Sequence, residues 1–137
     1  MSLAELKRVL AGEDAGAPVS RLIGFSITSV EEGRVVVELE AGPQHSSPPG
    51  TLHGGILCDI ADGAMGMALF SQREDGQAFA TVELKINFLK PVWTGLLTAV
   101  GTVVKQGRTL SLCECRVTDA DGSLVAYATA TQMTLSA

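Results

Sequence analysis

LHGGILCDIADGAM, residues Leu52 to Met65, is apolar enough for a buried helix, yet it opens on a histidine and two glycines and then carries Asp59 and Asp62. Buried carboxylates are costly unless they are paired, hydrogen-bonded or used. The apolar pattern predicts a helix over about His53 to Ser71. At about 100° per residue, Asp59, Asp62, Gly63 and Gly66 fall within roughly 100° of one another. Gly55 and Phe70 share that stripe. One reading makes it the solvent side of an amphipathic helix. A solvent face, however, usually carries Lys, Glu, Gln or Arg, whereas each glycine costs about 1 kcal/mol relative to alanine inside a helix. Small residues beside a carboxylate leave room for a ligand or a neighbouring helix. The helix start adds a second feature, because the first-turn amides of Gly54 and Gly55 have no intrahelical partners and are suited to an anion or a developing oxyanion.

Outward from this helix, the spacing of Leu3, Leu6, Val9 and Leu10 predicts a short amphipathic helix over Ser2 to Ala11. Phe25 to Ala41 reads as a hairpin turning at Glu31-Glu32-Gly33. The Pro, Ser and Gly of 42–50 mark a loop that feeds the central helix. After it, Ala80, Val82, Leu84, Ile86 and Phe88 alternate with Thr81, Glu83, Lys85 and Asn87, the pattern of a strand with one apolar face. Strands are expected at Leu96–Lys105, Thr109–Thr118 and Ser123–Leu135, divided by turns at Gln106-Gly107-Arg108 and Asp119 to Gly122. All these connections are short enough for antiparallel neighbours. The plan is α+β, with one long central helix that a curved antiparallel sheet must wrap, because the helix is apolar over most of its circumference. The remainder of the helix is left for a second subunit.

The 137 residues, 46% of them hydrophobic, suit one domain over 1–137. A formal charge of -5 argues against nucleic acid as a partner. Cys58, Cys113 and Cys115 form no disulfide framework, so a reducing cytoplasm is expected, with the cysteines as packing residues. No apolar run reaches the roughly 18 residues of a membrane span, and no secretory signal pattern opens the chain. His45, His53 and Cys113-Glu-Cys115 lack the spacing of a metal site, and no metal is expected. A Gly-x-Ser-x-Gly turn for a serine nucleophile is also missing.

Gly50-Thr-Leu-His53-Gly54-Gly55, Asp62 in Ile60-Ala-Asp62, and the strand Thr81-Val-Glu-Leu-Lys-Ile-Asn-Phe-Leu-Lys-Pro91 together resemble the hotdog-fold acyl-CoA thioesterases. The likeness is to the branch of the phenylacetate-pathway and 4-hydroxybenzoyl-CoA enzymes. It runs from about Gly24 to Met133 and includes Gly107-Arg108-Thr109. The resemblance implies a hotdog fold and hydrolysis of acyl-CoA or aroyl-CoA, with coenzyme A as part of the substrate and no separate cofactor. It also implies homodimers with the active site between subunits, pairing into homotetramers.

In the same sense it makes Asp62, nine residues after His53, the nucleophile or general base, and gives the Gly54 amide the thioester oxygen. Thr81 falls where relatives carry a hydroxyl near the site; an ordinary strand residue is the other reading. Six residues before His53, relatives place Asn or Gln, whereas this chain has Ser47, with Gln44 and His45 near enough to substitute. His53 is expected to order the helix start through its ring nitrogens, and Asp59 to make a polar contact on the helix, to meet substrate beside Gly55 or to act as a second acid, the first being favoured. Lys90 and Arg108 are candidates for the coenzyme A phosphates, although both read equally as surface charge. Val19 to Phe25, Met65, Leu69 and the strand facing them are candidates for the acyl pocket. The alternatives are a hotdog enoyl-CoA hydratase or dehydratase using His53 with Asp62, and an acyl-CoA binding module without turnover.

Overall fold

A computed structural model describes residues 1–73 and 77–135. Helix α1 spans Leu3–Leu10 and begins with a capping box: the Ser2 hydroxyl accepts from the Glu5 amide, and the Ser2 N–H donates to the Glu5 carboxylate at 2.9 Å. The fully buried Leu6 ties α1 to the core. A second helix, α2 at Pro18–Ile23, lies where no element was predicted. Its six residues are too few to show helical periodicity. Its ends are marked nonetheless, by Pro18 in the first turn and by Gly24, whose φ of +99° is open to glycine at little cost.

Strands β1 (Phe25–Glu31) and β2 (Arg34–Ala41) form the expected hairpin. A 3-10 turn at Pro43–His45 precedes the central helix α3, Gly54–Phe70. Then come β3 (Ala78–Phe88), β4 (Gly95–Gln106), β5 (Leu110–Thr118) and β6 (Leu124–Leu135). All pairings in the sheet are antiparallel, in the order β1-β2-β4-β5-β6-β3. This corrects the expectation that successive strands are neighbours. β3 pairs with β6 at the far edge, because α3 carries the chain across the sheet between β2 and β3, and the segment 89–94 carries it back to β4.

α3 turns Leu57, Ile60, Ala61, Ala64, Met65, Ala68 and Leu69 to the sheet. Its alanines permit close approach, and β4 meets them with Gly101. A Cβ there would lie 2.4 Å from the Ala64 carbonyl carbon. From the sheet side, Val35, Val37, Leu97, Ala99, Cys113, Cys115, Val117 and Ala128 complete the core.

The strict alternation expected along β3 is broken. Thr81 pairs with Gln132 and Glu83 with Thr131, so Val82 is an extra residue in a bulge. Before the bulge the odd residues Phe79 and Thr81 face α3; after it the even residues Leu84 and Ile86 do. Ala80 and Val82 are therefore exposed, not part of one apolar face with Leu84.

Cys113 and Cys115 are fully buried, and burial pushes their thiols up to about 11 and about 12. Neither should react with a thiol reagent at pH 8 in the native protein, and both should react after unfolding in guanidinium; mass spectrometry of the labelled chain reads this directly. Among the described residues no helix is long and apolar enough to cross a membrane.

Candidate active site

The start of α3 is held by its own loop. The His53 N–H donates to the His45 carbonyl at 2.9 Å, and the Leu52 N–H to the Val92 carbonyl at 2.7 Å. His45 is buried and fully committed: its Nδ1 accepts from the Gly42 N–H at 3.0 Å, so its Nε2 is the donor to the Ile23 carbonyl at 2.7 Å. It links the loop to the end of α2 and has no ring nitrogen left for substrate. Ser47 is likewise engaged inside the loop, where its hydroxyl donates to the Thr51 carbonyl at 2.8 Å.

His53 caps the helix, its Nδ1 accepting from the Gly55 N–H at 2.9 Å. The Gly55 amide is thereby occupied. The Gly54 N–H has no acceptor among the described residues, which leaves it as the free first-turn donor. Gly54 also abuts Phe88, since a Cβ on it would come 2.9 Å from the ring.

Two turns further along, Asp62 stands half-buried on the side of α3 that the sheet does not cover, with Asp59, Gly63, Gly66 and Phe70. The Thr81 hydroxyl donates to its Oδ1 at 2.9 Å. The β3 bulge makes this contact, because it turns Thr81 inward where strict alternation with Leu84 would turn it out. Asp62 and Thr81 open into a cavity of about 460 Å³ that continues past Gly63 and Gly66 to Phe25, Phe70 and Phe79. The Phe70 and Phe79 rings pack at 4.2 Å between centroids, tilted by 45°.

Asp59 lies elsewhere, in a shallow groove with Gln44, His53 and Gly55. Burial first, and then the neighbouring Asp62, push its carboxyl above the usual range. Since His53 shares this groove with Asp59, no histidine and acid are paired at Asp62. Lys90 is ion-paired with Asp119, and Arg108 borders a third cavity with Arg73 and Gln106. Neither lines the cavity of Asp62.

Of the residues expected in the acyl pocket, Val19 and Phe25 line it, but Met65 and Leu69 do not. They point into the core and are fully buried. Their places are taken by Met67 and Phe70, which lie on the uncovered side of the same helix. Phe79 and Gly16 were not anticipated. Only the bulge turns Phe79 inward, and the sequence carries no mark of it.

A nucleophilic or basic carboxylate and an oxyanion donor must both come within about 3 Å of one carbonyl group. Gly54 and Asp62 are eight residues apart on one straight helix, which at 1.5 Å per residue is about 12 Å. Gly54 and Asp62 of one chain therefore cannot meet on the same carbonyl.

The Thioesterase superfamily model matches residues 49–126, which contain Gly54, Asp62 and the β3 bulge. A 1,4-dihydroxy-2-naphthoyl-CoA hydrolase of Listeria monocytogenes is 32% identical over 97 residues, 71% of this chain and 79% of its own. The acyl-coenzyme A thioesterase PaaI of Escherichia coli is 31% identical over 108 residues, 78% of this chain and 75% of its own. The solved E. coli PaaI structure superposes with a TM-score of 0.86 at 25% identity, covering 97% and 95% of the two chains. A thioesterase family protein from Silicibacter pomeroyi superposes with a TM-score of 0.84 at 33% identity, covering 96% and 99%. With its six-stranded antiparallel sheet wrapped on one long helix in the manner of those structures, the chain has the hotdog fold and belongs to the Thioesterase superfamily.

Proposed function

We propose that this thioester hydrolase cleaves acyl-CoA esters at a site made by two copies of the chain, with Asp62 from one copy and the Gly54 amide from the other. The carrying observation is the separation of about 12 Å between these groups along α3. A two-fold axis that sets two α3 helices antiparallel and side by side brings each Asp62 toward the other copy's helix start. The edge strand β3 favours that arrangement: it is eleven residues long, has no partner on its outer side among the described residues, and exposes Val82 and Phe88. Such an edge is a ready template for a second copy. Leu110, Leu112, Met133 and Leu135 are exposed on the outer face of the sheet, and they supply an apolar surface on which two dimers pair.

In the reaction, Asp62 either attacks the thioester carbonyl, giving a mixed anhydride that water then opens, or takes a proton from an attacking water. Both routes consume one water and release a carboxylic acid and the coenzyme A thiol. Thr81 holds the carboxylate in one orientation through its hydrogen bond. The Gly54 N–H and the positive end of the α3 dipole receive the oxyanion. His53 acts through the helix start by fixing the first turn. Arg108, next to Arg73, is the better placed cation for the coenzyme A phosphates, since Lys90 must first leave Asp119. The three unpaired cysteines fit a reducing, cytoplasmic setting.

The test is complementation between two inactive variants, read as thiol release from acyl-CoA esters. Gly54→Pro removes the one N–H and suits the first helical position after an extended His53 (ψ 132°), and because its Cβ would meet the exposed Phe88 ring it is made together with Phe88→Ala, with Phe88→Ala alone as the control. Loss of an oxyanion donor is expected to lower kcat by about 10²–10³-fold. Co-expressed with Asp62→Asn, the mixed dimers should regain about a quarter of the wild-type sites, half the dimers having one intact site of two. Activity no higher than that of either variant alone would sink the shared site.

A further inference from the structure

We propose that the cavity beneath the N-terminal segment receives the acyl group of the substrate, a neutral apolar one, and that Gly66 sets the largest group admitted. The proposal rests on the hydrolase reading above. The cavity begins at the two polar groups that would meet the thioester, Asp62 and Thr81, and ends among rings; the other charged side chains on its lining, Asp14 and Arg21, are engaged by Arg8 and by the Ala15 and Gly16 carbonyls. Asp62 to Phe70 is eight residues of helix, a floor about 12 Å long. Three of the four phenylalanines of the chain, Phe25, Phe70 and Phe79, line this one cavity. Burial of a carbon chain or ring against them is favourable.

The roof is the segment between α1 and α2 together with Val19 in the first turn of α2. Arg21 holds that segment down by donating to the Ala15 and Gly16 carbonyls at 3.1 and 3.4 Å.

Gly66 is not required by the packing of this chain. A Cβ there would lie 3.8 Å from the Phe79 ring, and one at Gly63 3.6 Å from Phe25, ordinary contact distances in both cases. Alanine is the better helix former at each position. The added methyl at Gly66 would pack beside the Phe79 ring with nothing else outside its own helix within 4 Å, so it would project into the cavity that Gly66 lines and take volume from it.

The experiment compares kcat/KM along a series from acetyl-CoA to palmitoyl-CoA, with phenylacetyl-CoA, for the wild type and Gly66→Ala. One methyl group in an apolar pocket changes discrimination by about 10–200-fold. The ratio of kcat/KM for the largest accepted ester to that for acetyl-CoA is expected to fall at least tenfold, while the melting temperature rises. A profile parallel to the wild type, or a change of oligomeric state in light scattering, overturns the assignment and makes Gly66 a helix-packing residue. Should the wild type release no thiol from any ester, the same series of alkyl-CoA thioethers is titrated by calorimetry. Affinity that grows with chain length and is cut short by Gly66→Ala then upholds the pocket and removes only the hydrolysis. Affinity independent of chain length removes the pocket.

Discussion

Asp62→Asn is expected to lower kcat for thiol release by about 10²–10⁴-fold, the range for losing a positioned acid-base group, while the protein remains folded. The substitution keeps size and shape, and Asn can still accept the Thr81 hydrogen bond. Stability should rise slightly. Asp62 is one of the two causes that hold the Asp59 carboxyl above its usual range, the larger being burial, and removing the second charge relieves that repulsion. The sign is checkable by pH. A carboxyl whose folded value is raised contributes stability that is lost as pH rises through that value. The wild type should therefore weaken with rising pH across the range where Asp59 ionises, and Asp62→Asn should weaken less. Asp59→Asn, in its separate groove, should leave kcat within tenfold. Thermal denaturation and thiol release on the same preparations test all three statements; comparable losses in the two variants would move the chemistry away from Asp62.

Gly101→Ala carries the largest expected cost in stability. Its Cβ would fall 2.4 Å from the carbonyl carbon of Ala64, 2.5 Å from the oxygen and 2.7 Å from the Met65 nitrogen. These are backbone atoms of a helix pinned by seven buried side chains, so no rotamer can relieve the clash. The helix must lift from β4 or β4 must bend. A loss of at least about 3 kcal/mol is expected, at or beyond the upper end of ordinary overpacking. For a chain of this length that corresponds to a melting temperature lower by about 10 °C. Gly63→Ala, on the opposite side of the same helix, serves as the contrast and should be neutral or stabilising. Calorimetry of the two variants decides the matter, and equal melting temperatures would contradict the tight α3–β4 contact.

The long helix and most strands could be read from the sequence, because the apolar run of α3 and the turn residues that divide the strands are strong, local signals. The two carboxylates and the bare amides on α3 stood out for the same reason, and the choice of Asp62 and Gly54 among them came from the resemblance. What periodicity missed was non-local or too short. α2 has six residues, fewer than two turns. The position of β3 beside β6 depends on where α3 crosses the sheet, which no window of sequence records. The bulge at Val82 was hidden by its own apolar side chain, which prolongs the alternation through a point where the strand changes face. Met65 and Leu69 were placed in the pocket because they are apolar and near Asp62. The helix distributes apolar residues to both the core and the cavity, and only the position of the sheet separates them.

The contact of Gly101 with the backbone of Ala64 also bears on how such a protein can change. Asp62 and Gly54 ride on a helix that cannot shift without unseating the core, so the place of each within its own chain is fixed by the interior. The roof of the cavity, by contrast, hangs on Arg21 and two backbone carbonyls at the surface. Replacing residues 15–20 alters what lines the cavity without touching the helix. On the proposed roles, specificity can be altered at the N-terminal segment as well as at Gly66, while the carboxylate and the amide keep their places.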